Sequence, residues 1–270
     1  MRFSVLKELL DNLYIQYQSP GFPENSKDPV WNLHKFSDAK DIEIAGLITS
    51  SYAYGKVDLI NRFVEKLFAR IGNKPYEFTI NFQKRKDKKF LYGLKYRFSS
   101  ENNLINLFQN LSNILTSRAS LKNLFLESYE KKSVNIVPSL TAFINTLNSP
   151  LKTISKNGKN YCGFLIPDSL KKSTFKRLNL FLRWMVRKDE IDLGVWDCID
   201  KSKLIMPVDV HVARVSKRLN LVKRKSVDLF FALELTNSLK KFDPLDPVKY
   251  DFSLCHLGID GKLNSLLAKI

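Results

Sequence analysis

The segment Pro207-Val208-Asp209-Val210-His211-Val212-Ala213-Arg214-Val215-Ser216-Lys217-Arg218-Leu219 is where residue types and spacing point most directly to chemistry. Asp209 follows a proline-containing turn and opens an amphipathic helix with apolar positions at Val212, Val215 and Leu219. An aspartate at a helix start is a favoured N-cap. The helix dipole and the free amides of the first turn also keep such a carboxylate ionised, which suits a catalytic aspartate equally well. On local pattern both roles stand.

Other side chains offer two readings each. Trp184 and Trp196 could stack on a flat ligand ring, or they could fill a core. Arg183 and Arg187 stand one turn apart and could hold phosphate, or pair with Asp189 and Asp192 as a structural network. The three histidines are isolated and suggest no metal site. Cys162, Cys198 and Cys255 lie far apart with no CxxC or HExxH pairing. A disulfide scaffold, a zinc ribbon and a four-cysteine iron–sulfur centre are therefore not expected, and no cofactor is assigned.

Helical periodicity supplies the elements that must position these groups. Leu59, Ile60, Phe63, Val64, Leu67 and Phe68 form one apolar stripe, and Leu104, Leu107, Phe108, Leu111, Ile114 and Leu115 another. Leu178, Phe181, Leu182 and Met185 form a third, ahead of the Asp209 helix. Ser226 reads as the N-cap of a helix through Phe231, Leu235 and Leu239. The best strand candidate, Phe78-Thr79-Ile80-Asn81-Phe82, is short, and the basic run from Gln83 to Lys89 reads as a solvated loop. Loops are also expected over residues 19–29 and 149–168, the latter with a turn at 156–159, and a break over 242–247. The expected fold class is all-α.

Composition narrows the partners. The chain has 270 residues, 44% hydrophobic and 12% aromatic, enough for one large or two modest domains with a sizeable core. Its 44 Lys and Arg against 27 Asp and Glu leave a formal charge of +17. Such a charge attracts phosphate backbones by releasing counterions, although a solubilising surface charge gives the same sum. No run approaches a membrane span, and Lys7 and Glu8 stand where a secretion signal needs its apolar core. A reduced, cytoplasmic, nucleoid-associated setting is expected, without a membrane partner.

The Val208-Asp209-x-His211-Val212-x-Arg214-Val215-x-x-Arg218-Leu219 string resembles the catalytic-aspartate helix of the helix-hairpin-helix DNA glycosylases, the base-excision enzymes related to endonuclease III and 8-oxoguanine glycosylase. Residues 41–51 running into 57–68 are similar to that family's early helix pair, and 250–258 look like its final core helix. The arrangement most resembles a bacterial branch known as a domain of unknown function, through residues 176–187 and 246–252. The resemblance implies one glycosylase-like unit over 1–270: two helical subdomains with a cleft between them. Approximately 40–150 would form the first, approximately 151–225 the hairpin and catalytic-aspartate region, with the N- and C-terminal helices packed together.

It also implies site roles. Lys176 matches the family's lysine nucleophile, which attacks the sugar C1′ and forms a Schiff base, with Asp209 as its acid–base and electrostatic partner. They are 33 residues apart, longer than in the endonuclease III branch and closer to the archaeal 8-oxoguanine branch. Tyr54 and Lys56 fall in the loop that meets DNA in the family. Lys171, Lys172, Ser173, Thr174, Arg177 and Arg214 would hold the backbone, with Ser173 and Thr174 capping the next helix. Trp184, Trp196 and His211 would line a base pocket. The usual hairpin reads Leu-Pro-Gly-x-Gly, whereas residues 166–175 here contain no glycine. The expected function is a monomeric glycosylase and abasic-site lyase on double-stranded DNA with a damaged base, such as 8-oxoguanine. The alternatives are a non-catalytic DNA-binding module on the same scaffold and an N-glycosidase of a modified nucleoside.

Overall fold

The computed structural model describes residues 2–18, 27–149, 162–171 and 173–268. Among the described residues there are thirteen α-helices, three 3-10 turns and no strand, only the isolated bridges Tyr96–Ser99 and Lys188–Leu193. The chain is therefore all-α. No described helix is long and apolar enough to cross a membrane. The chain divides into two compact units, one of Met1–Ser26 with Lys172–Ile270 and one of Lys27–Lys171. The turn expected at 156–159 and most of the loop expected over 19–29 lie outside the described residues.

Helix α1 (Phe3–Gln18) belongs to the first unit; the chain then builds the second. There α2 (Ala39–Ser51) starts where the Asp38 carboxylate accepts the Lys40 and Asp41 amides, and it is buried from Ile42 to Ser51. A helix buried on all sides belongs at the centre of a unit. Its one buried acid, Glu43, accepts the Leu121 N–H at 2.9 Å and so caps the start of a later helix. The amphipathic α3 (Val57–Arg70) buries Ile60, Phe63, Val64, Leu67 and Phe68, while Leu59 of the expected stripe is exposed.

Two expectations fail in this unit for local reasons. Residues 75–80 form α4 (Pro75–Ile80) instead of a strand. Phe78 and Phe82 are four apart, which one helical turn satisfies as well as strand alternation, and both rings meet Phe108 at 5.2 and 5.6 Å. The basic run is α5 (Lys84–Leu91) rather than a loop. The Asp87 carboxylate accepts the Gln83 N–H at 2.7 Å, and long lysine and arginine side chains favour helix. Helix α6 (Glu101–Arg118) begins with a capping box between Ser100 and Asn103 and packs against α4, α5, α7 (Leu121–Leu126) and α8 (Val137–Asn148).

The first unit resumes with α9 (Lys176–Val186), α10 (Val210–Arg218), α11 (Leu229–Lys240), α12 (Asp251–Ile259) and α13 (Leu263–Leu267). Asp228, not Ser226, caps α11 by accepting the Phe231 N–H at 3.1 Å. Arg224 pairs with the same carboxylate, which fixes the cap two residues later than the pattern suggested. Helix α1 packs on α12: Tyr250 donates to Asp11 at 2.8 Å, and the Tyr17 ring meets Phe252 edge-on.

A buried charge network organises this unit. Arg183 donates through Nε to Asp192 at 3.1 Å and through Nη1 to Asp251. Arg187, just past the end of α9, holds Asp192, Asp189 at 2.8 Å and Asp246 at 2.9 Å. Both guanidinium groups and Asp192 are almost wholly out of water. Burial alone would lower the arginine pKa, but Asp192, Asp189 and Asp246 hold Arg187 protonated well above its ordinary value. Of the two readings of these arginines, the ion-pair network is the one formed. Replacing Asp192 with Ala removes the carboxylate that the two buried cations share, leaving Arg183 with Asp251 and Arg187 with Asp189 and Asp246, and we expect a loss of about 3–5 kcal/mol, read as a lowered urea midpoint at unchanged slope.

Candidate active site

The entry to α9 sets the position of Lys176. Phe175 takes a left-handed conformation, φ 49°, with its ring buried. Asn179 donates back to the Thr174 carbonyl at 2.9 Å, and Ser173 Oγ accepts the Phe175 N–H at 3.3 Å. Ser173 and Thr174 therefore do not cap the helix with their side chains, as the sequence pattern suggested; the N-cap residue is Phe175. Thr174 instead donates to the Val208 carbonyl at 3.0 Å. That bond ties the chain two residues before Lys176 to the chain one residue before Asp209.

Asp209 is the N-cap of α10, its Oδ1 accepting the His211 and Val212 amides, both at 2.9 Å. Its Oδ2 lies 3.6 Å from the Cys255 thiol of α12. Cys255 belongs to a face of α12 that the sequence reading passed over: Asp251, Cys255 and Gly258 follow i, i+4, i+7 spacing. Gly258 lets the two helices approach, because a Cβ there would stand 2.9 Å from His211 Cβ and 3.2 Å from its backbone. Arg214 then donates to the Gly258 carbonyl, closing the contact from the α10 side.

Asp251 is the residue this packing brings to the pair. Burial pushes its pKa up to about 6, against the opposing pull of Arg183; the Asp209 charge raises it further and Lys176 lowers it. Lys176, Asp209 and Asp251 thus share one electrostatic neighbourhood. The available signal was an ionisable residue inside the apolar run from Tyr250 to Leu254, but no local pattern named its partners.

The remaining expected site residues are dispersed. Arg177, Ser173, Thr174 and His211 are half-buried in the first unit, and Arg214 is exposed. His211 Nδ1 is buried with no hydrogen-bond partner. Lys172 lies outside the described residues, and Lys171 is exposed in the second unit. In that unit Lys56 is exposed before α3, and Tyr54 is half-buried, donating to the Tyr96 carbonyl at 3.2 Å. Trp184 and Trp196 are completely buried, so the base-stacking expectation is corrected. Neither ring has a face open to a ligand, and Trp196 packs edge-on against Phe181 at 5.3 Å. Among the described residues no three His, Cys, Asp or Glu side chains converge as metal ligands.

Fold and site together define an all-helical protein in which a lysine and an aspartate sit at two adjoining helix starts beside a buried carboxyl. Residues 28–260 match the family described as "Protein of unknown function (DUF2400)", and the chain belongs to that family. No curated protein and no solved structure matches it.

Two measurements check this geometry. Gly258→Ala forces α10 and α12 apart and should cost about 1–3 kcal/mol, seen in the urea midpoint. Asp251 binds its proton more tightly folded than unfolded, because its pKa rises from 3.8 to about 6. Its contribution to stability is therefore full below the unfolded value and is lost as pH rises through the folded one. Asp251→Asn abolishes that loss. The variant should gain on the wild type by on the order of 3 kcal/mol between about pH 4 and about pH 7. A pH-independent difference between the two proteins would assign the titration elsewhere.

Proposed function

We propose that this protein is a DNA glycosylase with abasic-site lyase activity, acting through Lys176 and Asp209 on duplex DNA that carries a damaged base such as 8-oxoguanine. The observation that carries the reading is the Thr174–Val208 hydrogen bond, which joins the starts of α9 and α10, with Asp251 responding to the charges of both Lys176 and Asp209. The charge of +17 supports a polyanionic substrate.

In this reading Lys176 attacks C1′ as the free amine. The N–C1′ bond forms as the glycosidic bond breaks, and the base leaves with the electron pair and takes up a proton. The two α10 amides on Oδ1 hold the Asp209 carboxylate in place, and its charge stabilises the positive charge that develops on the sugar. Ring opening gives a Schiff base; a C2′ proton is then lost, the C2′=C3′ double bond forms as the C3′–O bond breaks, and the 3′ phosphate leaves with the electron pair, which cuts the strand. Lys171, Arg177 and Lys56 are assigned to the DNA backbone. The glycine-free stretch 166–175 favours a second reading, a DNA-binding module without the chemistry.

Borohydride trapping separates the two. Wild-type protein with an abasic-site or 8-oxoguanine duplex should give a covalent adduct that is absent in Lys176→Gln, and Asp209→Asn should slow its formation about 100- to 10,000-fold. Trapping by Lys176→Gln at the wild-type rate removes the nucleophile assignment. Salt-sensitive binding with no adduct from any lesion leaves the binding module.

A further inference from the structure

The second unit holds a surface that the proposed chemistry does not use. Helix α5 runs straight into the segment Tyr92–Phe98, and residues 84–98 together carry seven cationic side chains against one acid, Asp87. Asp87 is spent on the Gln83 amide. Among the described residues none of the seven cations forms an ion pair. Lys88 and Lys89 lie over the rings of Tyr92 and Phe90.

The segment ends in a tight turn. Tyr96 and Ser99 exchange both backbone hydrogen bonds, at 3.0 and 2.8 Å, which leaves Arg97 and Phe98 as the two central residues. Arg97 has φ 48°, a left-handed conformation that glycine adopts without strain and arginine does not. A residue held against its backbone preference is a pointer to function when its side chain is also placed. Here it is placed. The guanidinium lies 5.6 Å from the Phe98 ring centre and 6.0 Å from that of Tyr54. It passes over Gly55, where a Cβ would come within 2.6 Å of its Nη1.

Phe98 is 68% exposed and Phe164 42% exposed, and their rings touch at 5.3 Å. The Tyr54 ring lies nearly parallel to that of Phe98, at 14°. Behind the turn Tyr96 donates to the Tyr54 carbonyl at 2.7 Å, and the buried rings of Tyr52 and Phe63 pack against Tyr96. The exposed rings are thus mounted on a rigid base. A single exposed phenylalanine needs no explanation, but two in contact beside an unpaired guanidinium make a surface for a flat ring on an anionic chain.

We infer that Arg97, Phe98 and Phe164 form a stacking platform for an unpaired nucleobase, with the α5 cations holding the adjoining phosphates, so that the second unit binds single-stranded nucleic acid independently of Lys176. Base–aromatic stacking combined with a cationic track is how strands are held without sequence readout. Charge complementarity selects the occupant.

The test uses the full chain, a fluorescein-labelled thymidine strand of about a dozen nucleotides, and anisotropy over a salt series. Phe98→Ala should weaken binding about 5- to 100-fold, the loss of one stacked base. Arg97→Gly should weaken binding while its thermal midpoint is kept or raised, because glycine relieves the turn. That second variant excludes simple unfolding as the cause. Wild-type affinity in both variants overturns the inference, as does displacement of the strand by vesicles of anionic phospholipid. Borohydride trapping on a short abasic duplex should be retained by Phe98→Ala. Strand binding without any trapping in the wild type would defeat the glycosylase reading and leave the platform standing.

Discussion

The sharing of Asp192 between Arg183 and Arg187 is the interaction on which the first unit depends. Three charges leave water together, and the desolvation cost is offset only because each guanidinium also reaches further carboxylates. Arg183 takes Asp251 at the start of α12, and Arg187 takes Asp189 and Asp246. One cluster therefore fixes α9, the loop after it and the N-terminus of α12. Apolar packing would set the depth of these elements, but fixed ion-pair geometry also sets their register.

That register carries through to the candidate site. Helix α9 has Lys176 at its first position, and α12 turns Asp251, Cys255 and Gly258 toward α10. Placing one end of α12 against Arg183 brings its carboxyl near Asp209, and Gly258 gives the clearance the contact needs. Asp251 bears the consequence. It is deeply buried and close to another acid, and Arg183 offsets only part of that penalty, so it titrates far above an ordinary aspartate. Ionisation at the site is thus tied to the network that holds the fold.

The second unit uses different means. Its centre is a helix buried on all sides, capped through Asp38 and linked by Glu43 to the start of α7. Its notable surface is aromatic and cationic instead of acidic, and it tolerates a strained arginine where glycine would be at ease. Buried tyrosine rings supply the support that holds this turn in place.

Much of the helical skeleton was legible from apolar spacing, because a period near 3.6 is a property of neighbouring residues. The caps were partly legible for the same reason: Asp209 sits where its own side chain meets amides two and three residues on. The failures began where a short segment satisfied two patterns, as Phe78 and Phe82 did, or where one later acid outcompeted another cap, as Asp228 did for Ser226. Of the candidate site, Lys176 and Asp209 were reached through family likeness, whereas Asp251, Cys255 and Gly258 were not read as site residues. Whether a tryptophan is core or ligand-facing was equally open until Trp184 and Trp196 proved fully buried. The sequence by itself determined the all-α class, net charge and the capping role of Asp209, all set by local spacing or by simple sums. Which carboxyl is desolvated, which arginine is paired and which ring is exposed were decided by tertiary structure alone, because burial and long-range partners depend on residues far apart in the chain, 68 positions for Arg183 and Asp251 and 239 for Asp11 and Tyr250.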